Sequence, residues 1–255
     1  KPEDEKLFTG KNQVDLISGQ LRGLVTPDSD ARPQFDKLRA KAKKRGELYI
    51  ALLVGFDEKS TNPKDLGRKS YDRFENWFLR HGFEIDRNNN LRTGPFVDLV
   101  KEGKNGAPGI RIKLSLSASD INNPVTFSRR AREAFENADL IYYDGHSGLG
   151  GNLNLEKITE LSSPDRAHPT PINFSKDYQV YYFDSCASYY FYSEMYLLAK
   201  DVENVDVVTN GLVSEFATQN PETLDFLTLF INSYENPDNQ PTWLETLENS
   251  EKEIK

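Results

Sequence analysis

Cysteine is almost missing from this chain: Cys186 is the single one in 255 residues. No internal disulfide can form, and any stability must come from packing. A lone thiol is more often a small buried hydrophobe than a reactive group, so its neighbours have to decide its role. Histidine is scarce as well, with His81, His146 and His168 making three. One Cys and three scattered His have no zinc-ligand spacing, so no metal is predicted. No apolar stretch approaches the ~20 residues needed to cross a bilayer, so no membrane-spanning segment is expected. A basic excess is also absent: 32 Lys and Arg stand against 40 Asp and Glu, for a net charge of -8. That balance argues against nucleic acid as a partner. The run Lys41 to Arg45 reads as the solvated end of a helix. Neither G-x-x-x-x-G-K-[ST] nor G-x-G-x-x-G occurs near the glycines at 145–151, so a phosphate-cradling loop is not indicated. The chain opens Lys1-Pro2-Glu3-Asp4 rather than with Met, and the expectation is a trimmed domain or a processed mature chain. The compartment stays open, a secreted or periplasmic one being compatible with processing and a cytosolic one with the single cysteine.

Hydrophobic residues at 37% and charged residues at 28% are ordinary for a globular protein. Residues 1–46 read as an N-terminal extension and 47–255 as the main domain. Within the extension, 13–25 fits a short hairpin or an irregular helical segment, and 33–45 has helical spacing closed by Gly46. Leu48 to Val54 is a continuous apolar run, the mark of a buried parallel strand. Tyr71, Phe74, Trp77 and Phe78 recur at helical spacing. Phe83 to Ile85 is a strand candidate, and Asn88–Asn90 and Gly94-Pro95 mark turns. Ile110 to Leu116 alternates like a strand with one wet face. Thr126 to Asn137 is a predicted helix, Leu140 to Tyr143 and Val180 to Phe183 are buried strands, and Ser188 to Lys200 is a helix. Val205 to Val208 is a strand, Leu224 to Ser233 a helix, and a last helix starts near Trp243. Strands alternating with helices predict a three-layer α/β fold with a mostly parallel sheet.

In such sheets, working residues lie just past the carboxyl ends of strands. Two segments qualify: Asp144-Gly145-His146-Ser147-Gly148 and Asp184-Ser185-Cys186-Ala187-Ser188. Each follows an aromatic-rich strand, begins with Asp and carries its reactive residue two positions later. An imidazole beside a thiol, with a helix N-terminus behind the sulfur, favours the nucleophilic thiolate. The amide of Cys186, with one from the histidine loop, would hold a developing oxyanion.

These two blocks resemble the strand-then-His-Gly and strand-then-Cys motifs of the caspase-like cysteine peptidases, nearest to the metacaspase, gingipain and legumain types. Ala51 to Gly55 is similar to their first core strand, and Val207-Val208-Thr209-Asn210-Gly211 to the strand after the nucleophile. The resemblance implies the caspase-like fold, a Cys186–His146 dyad, backbone oxyanion donors at Ser147, Gly148 and Cys186, and substrate contacts at Asp144, Asp184, Thr209 and Asn210. Two carboxylates at a cleft mouth favour a cationic guest, so cleavage of protein or peptide substrates after Arg or Lys is expected. A legumain-like preference for Asn is the rival. No organic cofactor is implied. Some relatives respond to calcium, but no D-x-[DN]-x-[DN]-G loop is present. One position departs from the family: Ser147 stands where Gly is usual, and a loop needing positive φ there would resist serine. That departure motivates the alternative of an inactive caspase-like fold serving as a protein-binding module.

Plainer readings exist for each residue. His81 sits at a helix end, where it favours the dipole, and His168 lies between prolines in a surface loop. Asp144 and Asp184 could be caps. Tyr189, Tyr190, Tyr192 and Tyr196 are assigned to packing on the sheet. The serine-hydrolase elbow G-x-S-x-G fails because Leu149 occupies the last position.

Overall fold

The computed structural model describes residues 15–17, 20–22, 31–56, 61–87, 96–118, 125–148, 153–193, 199–209, 211 and 216–250. A short antiparallel hairpin comes first, β1 (Asp15–Ile17) with β2 (Gln20–Arg22), the first of the two alternatives open from the sequence. α1 (Phe35–Arg45) ends at Gly46, whose φ of 99° puts it in the left-handed region and whose amide caps Ala42 O.

The main sheet follows. Its strands are β3 (Glu47–Phe56), β4 (Glu84–Ile85), β5 (Phe96–Lys101), β6 (Gly109–Ala118), β7 (Leu140–Asp144), β8 (Gln179–Asp184) and β9 (Val205–Thr209). The helices are α2 (Leu66–Arg80), α3 (Val125–Asn137), α4 (Leu155–Ser162), α5 (Phe216–Glu235) and α6 (Trp243–Ser250). The seven strands lie in the order β4-β5-β6-β3-β7-β8-β9. The five from β6 to β9 are parallel, while β4 and β5 form an antiparallel flange beside β6. The chain therefore winds outward from β3 in both directions, and its topological switch lies beside β3 and β7.

The continuous apolar run of β3 is explained by two covered faces. Leu48, Ile50, Leu52 and Val54 pack with Phe35 and Leu38 of α1, Phe74 and Phe78 of α2, and Phe226 and Phe230 of α5. Tyr49, Ala51 and Leu53 pack with Phe127, Ala131 and Phe135 of α3 and Ile158 of α4. Three layers result, helices on both faces of a mostly parallel sheet.

Several sequence expectations change. α1, grouped with the extension, belongs to the main core: Phe35, Leu38 and Ala42 are buried, and Arg39 Nε donates to Tyr234 O of α5 at 2.9 Å. Beneath it, the fully buried Asp139 takes Lys41 at 3.1 Å and Arg45 as ion partners and accepts from the Tyr49 amide at 2.8 Å. The wet face expected of β6 is largely covered, because Arg111 pairs with Glu47 and Asp86, each at 2.6 Å, and Lys113 with Glu133. β5 gave no strand signal, since Asp98 interrupts its apolar run. In the fold that carboxylate is buried against Arg130 at 2.9 Å. Among the described residues, no helix is long and apolar enough to cross a membrane.

Candidate active site

The parallel register decides what meets at the carboxyl edge. Asp144 of β7 is the direct partner of Asp184 of β8, and Val54 of β3 is the partner of Asp144 on the other side. The ladder runs one step further, with the Gly145 amide donating to Asp184 O at 3.3 Å. Adjacent strands are about 4.8 Å apart, so the loops that carry His146 and Cys186 leave the sheet side by side and at the same height. His146 is exposed and Cys186 half-buried.

The two aspartates sit deeper than the cleft mouth assigned to them. Asp144 is fully buried and Asp184 only 7% exposed. Both lie two residues past tyrosines on the α2–α5 face, Tyr142 and Tyr182, and Asp184 Oδ2 accepts from Tyr142 Oη at 3.1 Å. Tyr142 stacks on Tyr182 at 4.6 Å, and Tyr182 meets Phe226 at 4.5 Å, so the acidic pair rests on an aromatic floor. No hydrogen bond of full geometry reaches either Asp144 oxygen among the described residues. Burial pushes the Asp144 carboxyl well above its usual range, the Asp184 charge adds to this, and Ser70 and Arg73 of α2 offset only part. The pair therefore favours holding a proton on Asp144. Thr209 ends β9 as the partner of Phe183 and is half-buried. Asn210 lies outside the described residues.

The cysteine loop is a tight turn. The Ser188 amide donates to Ser185 O at 3.2 Å and Ser188 Oγ to Phe183 O at 2.8 Å, which leaves Cys186 and Ala187 at the corner. Ala187 has φ of 50°, a left-handed conformation that costs a non-glycine residue about 1–2 kcal/mol. Strained corners of this kind gather at functional sites. The α-helix expected from Ser188 is replaced, in its described part, by a five-residue π-helical turn, Tyr189–Ser193. The wider turn accommodates four successive aromatic residues and carries Tyr192 fully inside while Tyr190 stays 82% exposed. The helix N-terminus invoked behind the sulfur is thus not of the regular α form here, and residues 194–198 lie outside the described ones.

The histidine loop resolves the serine question. Its left-handed residue is Gly148, at φ of 55°, and Ser147 is not in the positive-φ region. Ser147 is buried, and its carbonyl accepts from Tyr192 Oη at 2.8 Å. The His146 carbonyl accepts from Tyr143 Oη at 2.6 Å. Gly145 has a steric reason: a Cβ there would stand 2.8 Å from Tyr143 Oη and 3.2 Å from Gly55 Cα. The sequence reading missed both tyrosine hydroxyls. The available signal was that a buried tyrosine needs a partner for its O–H.

The other histidines are occupied elsewhere. His81 caps α2, with Nδ1 2.7 Å from Trp77 O and its ring stacked on Trp77 at 3.9 Å. His168 is exposed and pairs with Asp165 at 3.0 Å. Among the described residues no group of three or more His, Cys, Asp or Glu side chains could hold a metal ion. Compared with family models, with curated proteins and with solved structures, the chain gives no match.

Proposed function

We propose that this protein is a cysteine endopeptidase of the caspase-like type that cleaves after Arg or Lys. The observation that carries the reading is the Asp144–Asp184 register, which sends a half-buried thiol and an exposed imidazole out of neighbouring strand ends two residues later. In this mechanism the Cys186 thiolate attacks the peptide carbonyl, and a C–S bond forms. As the C–N bond breaks, the leaving amine takes a proton from His146. A water, deprotonated by His146, then hydrolyses the thioester and returns the thiol. The strained corner at Ala187 supports the reading by holding the cysteine at the apex of its turn.

Preference for a cation follows from Asp184, which keeps some solvent exposure above the aromatic floor, with Asp144 behind it as a proton-holding neighbour. An Arg guanidinium would pair with Asp184 and stack on the Tyr182 ring. The acidic residue facing a neutral Asn side chain, as in the legumain-like alternative, makes less use of that floor. The inactive-module alternative was motivated by a serine at a position needing positive φ; that Gly148 and not Ser147 is the left-handed residue supports the active reading.

A peptide-library digest with wild type, Cys186→Ala and His146→Ala tests the proposal. Cleavage after Arg or Lys in the wild type should fall by about 10⁴-fold or more in Cys186→Ala. Absence of cleavage, together with alkylation of Cys186 no faster than of a free thiol, would refute it.

A further inference from the structure

Two buried hydroxyls grip two consecutive carbonyls of the histidine loop: Tyr143 Oη on His146 O, and Tyr192 Oη on Ser147 O. Both rings belong to the apolar layer under α3 and α4, where they meet edge-to-face at 6.3 Å. A trans peptide holds its N–H opposite its C=O in one plane, and the described chain has no cis peptide. Pinning His146 O into the tyrosine layer therefore turns the Ser147 N–H away from it. Pinning Ser147 O does the same for the Gly148 N–H. Gly148 is left-handed at φ of 55°, the kind of residue that lets successive amides converge on one anion.

We propose that Tyr143 and Tyr192 are positioning residues that fix the amides of Ser147 and Gly148 as an anion-binding pair for the oxygen that becomes negative when Cys186 attacks. The proposal rests on the peptidase reading above and names what preorganises its oxyanion site. It also couples the two loops. Tyr192 rides on the turn that starts just past Cys186, where the Tyr190 and Phe191 amides both bond Ala187 O at 3.0 and 3.3 Å. The Tyr192 O–H···O bond to Ser147 thereby ties the nucleophile loop to the amide pair. The glycine before the histidine is part of the same device, since a side chain there would strike the Tyr143 hydroxyl.

Tyr143→Phe and Tyr192→Phe remove one oxygen each and keep the rings. Tyr181→Phe is the control, because Tyr181 Oη is equally buried but donates to Gln179 Oε1, at the far end of β8. Deleting an oxyanion donor outright costs about 10²–10³ in kcat, and an amide left in place but unaimed should cost less. The expected result is a fall in kcat of about 10- to 100-fold in each site variant on an Arg peptide, with KM changed less than about threefold. Alkylation of Cys186 by iodoacetamide, which forms no oxyanion, should keep its wild-type rate, and Tyr181→Phe should keep its kcat. If wild type cleaves and both site variants retain kcat within twofold, the anchors are refuted while the peptidase stands. If kcat and alkylation fall together in the site variants, a general distortion is responsible and the positioning role is refuted. A wild type that neither cleaves nor reacts selectively at Cys186 would overturn both proposals at once.

Discussion

Replacing Gly145 by alanine gives the most direct measure of how tightly the histidine loop is held. Gly145 is outside the positive-φ region, so alanine fits its backbone, and by lowering unfolded-state entropy it should stabilise by about 0.4–1 kcal/mol. Sterics act the other way. The new Cβ would stand 2.8 Å from Tyr143 Oη, 3.0 Å from Cζ and 3.2 Å from Gly55 Cα. Overpacking of this kind costs about 1–3 kcal/mol, and displacing the hydroxyl from His146 O removes a bond worth about 1 kcal/mol. Gly145→Ala should therefore lose about 1–3 kcal/mol net. The closest contact is with an oxygen that Tyr143→Phe deletes, so the two changes should not add. In a double-mutant cycle read by urea denaturation, the double variant should be more stable than the sum predicts by about 1 kcal/mol or more. Additivity within about 0.5 kcal/mol, or a Gly145→Ala protein as stable as wild type, would refute the placement of the tyrosine over the glycine.

Other outcomes follow from the same geometry. Asp144→Asn should raise the melting temperature near pH 7. Burial lifts the folded carboxyl above its ordinary 3.8, so the stability that Asp144 contributes is complete below that value and is lost as pH rises through the folded one. Melts from pH 4 to 8 should show the advantage of asparagine shrinking toward the acid end. Ala187→Gly should relieve the left-handed corner and gain about 0.5–1 kcal/mol in chemical denaturation, the strain relieved less the added chain entropy. Asp139→Ala leaves Lys41 and Arg45 without their buried partner and should cost about 3–5 kcal/mol. A chain truncated to begin at Glu47 loses Phe35 and Leu38 from the core, each worth about 1.5–3 kcal/mol, and circular dichroism should find it unfolded.

The sequence disclosed the fold where periodicity and burial agree. β3, β7 and β8 have no polar break until their carboxyl ends, because both faces are covered, and that is legible in Leu48 to Val54 or Val180 to Phe183. β5 was hidden because Asp98 looks like a loop residue until Arg130 arrives from α3 to pair with it. The site was legible to the level of register. Asp at the same position of two parallel strands brings the next residues to one rim, as the pairing of Asp144 with Asp184 bears out. Depth was not legible: a strand end does not reveal whether a carboxylate faces water or, as with Asp144, a closed layer. Nor does a run such as Tyr189 to Tyr192 disclose a π-helical turn, which depends on how four rings sort between solvent and core.

The direction of the helices also settles where spectroscopic probes report. α2 runs back along the sheet, so Trp77 sits near its far end beside His81. Trp243 donates its indole N–H to Asp206 at 2.8 Å, near the start of β9. Both indoles thus occupy the pole opposite the His146 and Cys186 loops. Tryptophan emission will follow melting of the base and remain nearly blind to a guest at the carboxyl edge. Tyr142, Tyr143, Tyr182 and Tyr192 crowd that edge, so near-ultraviolet tyrosine bands are the optical signal to watch when a peptide is added.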